Sequence, residues 1–365
     1  MTRILVSAAE PSADRYIARL IPALRDAVPG AVIDAIGGPA TRAAGATMVH
    51  AMDDLQAFGI VETVRGLPAH VRLYRDLRAA LRRGAWDLIV LCDYPGWHVR
   101  VGQAARAAGV PVLYYVAPQL WAWGAWRARA LRRAADRIAV VLPFEEPYFA
   151  ARGLPAHYVG HPLLDESRPG RAEARRALGL APDARVLAVL PGARPDDVRR
   201  HWPGFRAAAE AVRRGLPAVE IVIGGVPGRT YGGSAGMRIA AGGAVALAAA
   251  DAAICKSGTS TLEAALADVP AVVSYRLHPA SWWVARRAVR LPWVSLASLI
   301  AERPVHEELL QGAGTPAALA QAAIALLDES GHAEAQRQAY AVVRQRLGGP
   351  GAAVRVAALA RELAA

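Results

Sequence analysis

The sequence predicts an α/β protein with two doubly wound parallel-sheet domains. Short apolar runs of strand length alternate with amphipathic helical stretches along the chain. The alternation stops at Asp165–Pro182, a polar stretch with Arg, Glu and Pro, and then restarts. At 365 residues the chain is long for one domain and natural for two. The expected domains are 1–164 and 165–345, with 346–365 a final helix that crosses back to the first domain.

In chain order, Arg3–Ala8 reads as a strand, Glu10–Asp14 as a turn, and Tyr16–Val28 as a helix with Ile17, Leu20, Ile21 and Leu24 on one face. Ala31–Ile36 is the next strand, ended by Gly37-Gly38-Pro39. Such a βαβ start puts sites at strand C-terminal ends, so Glu10, Ser12 and Asp14 fall on the ligand-facing edge. Ser12 and Asp14 equally suit helix capping. Val61–Arg83 is a helix in which Arg65, Arg72, Arg75, Arg78, Arg82 and Arg83 flank Val64, Leu67, Val71, Tyr74 and Leu77. That pattern suits anionic lipid headgroups, or a solvated helix packed on a sheet. Trp86–Cys92 is a strand and Asp93–His98 its exit loop. A carboxylate there is placed to act as a general base, with His98 a rival. Val110–Val116 and Arg137–Leu142 are strands separated by the aromatic loop Ala117–Trp123 and a helix over Arg127–Ala135. Pro143–Tyr148 opens a further helix, and Tyr158–Leu163 is the last strand and turn of this half.

The second half begins with a strand at Arg185–Leu190, which exits through Pro191–Pro195. A helix over His201–Gly215, a strand over Val219–Ile223 and a Gly-rich loop over 224–243 follow. Ala252–Cys255 is a short buried strand. Ser257-Gly258-Thr259-Ser260-Thr261 then supplies hydroxyls, a flexible glycine and unpaired N–H groups at a helix start, where the positive dipole end suits phosphate. Glu263 can accept hydrogen bonds from a ribose diol; a plain capped helix start is the alternative. Pro270–Tyr275 is a strand followed by Arg276 and His278. Ser281–Trp293 mixes indoles with arginines, as a headgroup interface or a packed helix would. Helices over Thr315–Leu327, His332–Leu347 and Ala352–Ala364 close the chain.

Composition narrows the function classes. Hydrophobic residues make up 54% and charged residues 20%, which excludes a disordered chain. Net charge is +12, and Lys256 is the only lysine. A basic surface favours anionic partners. No nucleic-acid-binding motif is present, so nucleic acid is not an expected partner. Cys92 and Cys255 lie in apolar runs and read as buried thiols. His157 and His161 lack supporting donors, so no metal site is expected. No stretch has the roughly 20 strongly apolar residues of a membrane span, and Met1–Val6 runs straight into polar residues without a leader's apolar core.

Several strings, taken in order, resemble the lipid-A-disaccharide synthase family. They are Glu10-Pro-Ser-Ala-Asp14, Gly38-Pro39, Phe58-Gly-Ile-Val-Glu62, Asp93-Tyr-Pro95, Ala117–Trp123, Leu142-Pro-Phe-Glu145, Val159–Leu163, Leu190-Pro-Gly-Ala-Arg194, Ser257-Gly-Thr259 with Thr261-Leu-Glu263, Tyr275-Arg276 and Glu308-Leu-Leu-Gln311. The resemblance implies two Rossmann-like domains of the GT-B type with the active site in the cleft between them. It implies a metal-free inverting transfer from UDP-2,3-diacylglucosamine to 2,3-diacylglucosamine 1-phosphate, with no cofactor. Asp93 matches the family's base. Glu10, Ser12, Asp14, Arg194, Ser257, Gly258, Thr259, Thr261, Glu263, Tyr275, Arg276, Glu308 and Gln311 match its substrate-binding positions, Glu263 as the ribose-binding acid. A cytoplasmic location at the inner membrane, with contact to anionic lipid, is also implied. The chain departs from the pattern at Ala9 and Ala13 (usually glycine), Ser298 (usually asparagine), and Ala117 and Ala193 (usually serine). The readings weighed against this one are a UDP-sugar transferase with another lipid acceptor, a UDP-sugar epimerase, and a silent homologue that binds UDP-sugar or lipid.

Overall fold

A computed structural model describes residues 1–52, 60–226, 228–278, 282–283, 287, 289, 291–328 and 331–365, with the backbone alone over 60–69. The chain forms two compact units, Met1–Glu166 with Gly349–Ala365, and Ser167–Gly348.

The first unit holds strands β1 (Arg3–Ala8), β2 (Val32–Gly37), β3 (Thr47–Ala51), β4 (Leu88–Cys92), β5 (Val112–Tyr115), β6 (Arg137–Val140) and β7 (Ala156–Tyr158). They form one parallel sheet in the order β3-β2-β1-β4-β5-β6-β7. Its helices are α1 (Pro11–Ala27), α2 (Pro39–Ala43), α3 (Ile60–Arg82), α4 (Pro95–Ala107), α5 (Ala128–Arg132) and α6 (Glu145–Ala150). Alternate residues of β4 and β5 (Ile89, Leu91, Val112, Tyr114) cluster with Leu73, Leu77 and Leu81 of α3 and Trp97 and Val101 of α4. Burying each such side chain contributes about 1.5–3 kcal/mol. The chain's last helix, which packs on α1, β4 and β5, also belongs to this unit.

The second unit holds α7 (Arg171–Ala177), β8 (Val186–Leu190), α8 (Pro195–Gly215), β9 (Glu220–Gly225), β10 (Arg238–Ala241), α9 (Gly243–Ala249), β11 (Ala252–Lys256), α10 (Thr259–Leu266), β12 (Ala271–Tyr275), α11 (Leu296–Ala301), β13 (Glu307–Leu310), α12 (Pro316–Leu327) and α13 (His332–Leu347). The closing helix of the first unit is α14 (Ala352–Ala364). The second sheet is parallel in the order β10-β9-β8-β11-β12-β13. Its strands alternate faces. Leu187, Val189, Ile221 and Ile223 meet α8 and α12 on one side, while Ala188, Leu190, Val222 and Ala253 meet α7, α9 and α10 on the other. Both faces are covered, as a doubly wound sheet requires.

Three sequence expectations give way for one reason. Glu10–Asp14 is not a turn, Asp93–His98 is not all exit loop, and the helix expected at His201 starts earlier. Each helix begins with a proline at its first position: Pro11, Pro95 and Pro195. Proline there has its φ preset and forfeits an N–H that would lack a partner anyway. The domain break falls at Glu166/Ser167 rather than after Leu164. In α3, Leu73, Leu77 and Leu81 are buried and Val71 is exposed. The expected apolar stripe therefore turns partly into the core; its members Val64 and Leu67, with Arg65, lie outside the described side chains. Phe58 and, within Ser281–Trp293, residues 281, 284–286, 288 and 290 also lie outside the described residues.

Candidate functional site

In both sheets strand order reverses beside the first strand: at β1/β4 in the first unit and at β8/β11 in the second. Open α/β sheets bind ligands beyond the strand C-terminal ends at such switch points. Glu10 and Asp93 follow β1 and β4. Arg194 and the Ser257–Thr259 turn follow β8 and β11.

At the first switch point β4 ends at Cys92 and the chain passes through two left-handed residues, Asp93 (φ 55°) and Tyr94 (φ 47°), before Pro95 opens α4. Side-chain-bearing residues in that region store strain of order 1–3 kcal/mol each. Three groups hold the elbow. His98, on the first turns of α4 and 0% exposed, donates from Nδ1 to the Asp93 carbonyl at 2.7 Å. The Tyr114 hydroxyl donates to the same oxygen at 2.7 Å. His98 Nε2 then accepts from Ser7 Oγ at 2.8 Å, which ties the elbow to β1. Burial lowers the His98 pKa to about 4, against its backbone contacts, so the ring is neutral near pH 7. With both nitrogens engaged, His98 is committed to holding the elbow, and Asp93 beside it is half-buried. Burial, then the charges of Asp93 and Glu10, raise the Cys92 thiol; burial and Glu10 raise Tyr94. Glu10 and Asp93 thus lie at the same edge.

Asp14 takes the capping alternative, though on α2 rather than on its own helix. It is 3% exposed, and its carboxylate accepts from the backbone N–H groups of Gly38 (2.7 Å), Ala40 (2.9 Å) and Thr41 (3.1 Å). It caps α2 from α1, and those bonds use its acceptor sites inside the unit. Ser12 sits half-buried on the first turn of α1. Ala9 and Ala13 are buried without positive φ, so neither needs the glycine usual there.

At the second switch point Arg194 is the exposed N-cap of α8. The preceding Gly192 has φ +109°, and a Cβ there would lie 2.8 Å from Asp197 Cβ. Asp197 pairs with Lys256 Nζ at 3.1 Å, and that ammonium lies 5.4 Å from the Tyr275 ring. Tyr275 stacks on His201 at 5.6 Å and 15°. His201 Nε2 accepts from Arg276 N at 3.0 Å, so Nδ1 carries the proton and donates to the Asp197 carbonyl at 2.8 Å. Burial lowers the His201 pKa, and burial raises that of Tyr275. Sequence reading missed Asp197, His201 and Lys256; the signals were the lone lysine at a strand end and an Asp–His pair four apart.

Gly258 starts α10 at φ +130°, and the first turn of that helix carries no acidic residue. Thr259 is exposed there, and Glu263 is half-buried one turn on, its Oε2 3.5 Å from where a Cβ on Gly243 would sit. The hydroxyls of this stretch do other work. Ser257 Oγ donates to Val294 O at 2.8 Å, and Thr261 Oγ1 donates to Gly258 O at 2.8 Å while accepting from Leu296 N at 3.2 Å. Glu308 accepts from Val294 N (2.8 Å) and Ser295 N (2.9 Å), and Ser298 Oγ accepts from Val305 N at 3.2 Å. These contacts tie Ser257, Thr261 and Glu308 to 294–296. Arg276 Nε reaches Gln311 O at 3.4 Å, and Gln311 Nε2 is buried without a partner. Among the described residues no group of three or more His, Cys, Asp or Glu could hold a metal.

Two parallel sheets of this order give the chain the GT-B fold. The UDP-GlcNAc 2-epimerase of Neisseria meningitidis, solved with UDP-GlcNAc, shares the fold at TM-score 0.67 and 10% identity over 98% of each chain. The glycotransferase of kitacinnamycin does so at TM-score 0.64 and 17% identity, over 99% of this chain and 98% of its own. Sequence is more specific. The model of the lipid-A-disaccharide synthetase family matches residues 4–350. The lipid-A-disaccharide synthase of Rhodospirillum centenum is 39% identical over 94% of this chain and 90% of its own. That of Anaeromyxobacter dehalogenans strain 2CP-1 is 36% identical over 97% and 96%. The chain belongs to the lipid-A-disaccharide synthase family and is a hexosyltransferase of lipid A disaccharide synthesis. No described helix is long and apolar enough to cross a membrane.

Proposed function

We propose that this chain transfers the diacylglucosamine of UDP-2,3-diacylglucosamine to 2,3-diacylglucosamine 1-phosphate with inversion, giving the β-1,6-linked tetraacyl disaccharide 1-phosphate and UDP. The observation that carries the reading is the braced Asp93 elbow at the first switch point, with the neutral, saturated His98 behind it.

Asp93 takes the proton of the acceptor's primary hydroxyl. That oxygen attacks the anomeric carbon, the bond to the diphosphate breaks, and UDP leaves with the bonding pair. A general base supplies about 10²–10⁴-fold. In the second unit Arg194 and the N–H groups opening α10 receive the charge that grows on the diphosphate, where a guanidinium binds two oxygens at once. Glu263 accepts from the ribose diol. Lys256 is paired with Asp197 and shapes the strand end rather than meeting phosphate directly. Exposed Trp123, Trp126 and Trp283, with α3's exposed Val71, Arg72 and Arg75, support peripheral contact with anionic lipid.

The test is incubation of the purified chain with both diacylated glucosamines. UDP release matched by β-linked disaccharide is expected. UDP release without disaccharide, an epimerised UDP-sugar, or binding without turnover overturns the reading.

A further inference from the structure

One cleft in the first unit has no part in the chemistry above. It encloses about 310 Å³ between the start of α4, the 117–124 loop and α5. Pro95, Val99, Leu120 and Leu131 give it apolar walls, and Arg100 and Arg127 line it with positive charge. We propose that this cleft is the subsite for the acceptor's phosphate monoester, held by Arg127 and Arg100, with the adjoining hydrocarbon against its apolar walls. The proposal rests on Asp93 being the base that meets the acceptor.

Four observations converge on an anion. Among the described residues the Arg127 side chain makes no hydrogen bond or ion pair; its guanidinium lies over the Trp123 ring at 4.1 Å, and its Nε is buried without a partner. A buried donor left without an acceptor is disfavoured, and an anion in the cleft would supply one. Arg100 bonds only the Gly96 carbonyl, at 2.5 Å, and pairs with no carboxylate among the described residues. The N-terminus of α4 opens at Pro95–Gly96, with no acidic residue in its first turn to offset the helix dipole. No carboxylate lines the cleft.

The remaining features select an amphiphile. A free phosphate has no use for Val99, Leu120 and Leu131. A phosphorylated sugar bearing acyl chains meets both halves of the lining. The volume matches a small head group, so the chains run beyond the cleft, past Trp123 and Trp126, which are 50% and 74% exposed. The cleft starts two residues after Asp93, which lets one acceptor present its phosphate to the arginines and its hydroxyl to the carboxylate.

The experiment measures transfer with the acceptor and with the same acceptor lacking its 1-phosphate. Arg127→Gln is expected to raise KM for the phosphorylated acceptor about ten- to one-hundred-fold, with donor KM unchanged and wild-type melting retained. Arg100→Gln is expected to act in the same direction, and Arg127→Lys to recover part of the loss. With the dephosphorylated acceptor, wild type and Arg127→Gln become equal. An unchanged acceptor KM, or the same variant-to-wild-type ratio for both acceptors, overturns the subsite. If the wild type transfers nothing, the reading of Asp93 fails instead. The subsite is then decided by saturation-transfer NMR with glucosamine 1-phosphate: signal in wild type that Arg127→Gln abolishes sustains it, and equal signal in both overturns it.

Discussion

At Asp93 and Tyr94 the backbone holds two consecutive left-handed residues that neither side chain favours, and the cost is met by hydrogen bonds to one carbonyl oxygen. His98 therefore works as a strut. Its pKa is lowered from 6.5 to about 4 by burial. Between those values the unfolded chain binds more protons, so His98's contribution is full above about pH 6.5 and is lost as pH falls toward 4, on the order of 3 kcal/mol in all. Urea midpoints at pH 7 and pH 4.5 should differ less in His98→Gln than in wild type; an undiminished gap contradicts the strut. Such a role was hidden in the sequence. His98 stands five residues from Asp93, and spacing alone makes it a rival base. Only its burial and its two partners, Ser7 and the Asp93 carbonyl, decide otherwise.

The elements divide into those that sequence pattern reveals and those it conceals. β4, with five buried residues in Leu-Ile-Val-Leu-Cys, was legible. β3, β10 and β13 were not, and each is the edge of its sheet, with mixed exposure and no apolar run. Among helices, α13 and α14 were read to the residue, while α1 and α8 were cut short at their proline starts and α4 was read only as an exit loop. Asp14 belongs to this scale, because what it holds is another helix. Asp14→Ala leaves three N–H groups of α2 without their acceptor and should cost about 2–4 kcal/mol in the first unit's unfolding, with both substrate KM values unchanged. A raised KM at full stability would return Asp14 to the substrate. At α10 the φ of +130° at Gly258 lies where only glycine is at ease. Gly258→Ala should cost about 1–3 kcal/mol and weaken UDP binding at least tenfold; UDP affinity equal to wild type in a calorimetric titration would detach this turn from the diphosphate.

In the molecule as a whole, the chain enters the second unit at Ser167 and returns to the first at Gly349. The return is anchored by Asp165, whose carboxylate accepts from Gly351, Ala352 (3.3 Å) and Ala353 (3.0 Å), and by Arg355 Nε on Val159 O at 2.8 Å. Val356, Ala357 and Ala360 of α14 are buried. Ending the chain at Gly348 should therefore destabilise the first unit by several kcal/mol and leave the second unit's transition and UDP affinity in place; equal loss in both contradicts separate units. The paired sheets and the residues at both switch points were readable because strand ends fix where chemistry gathers. The inward commitments of Ser257, Thr261 and Glu308 were not readable, because their partners lie 13 to 37 residues away. The account stands most directly on Asp93. In a transfer assay with both diacylated glucosamines, Asp93→Asn should lower kcat about 10²–10⁴-fold while UDP affinity and melting stay at wild-type values. Turnover within a few-fold of wild type would contradict it.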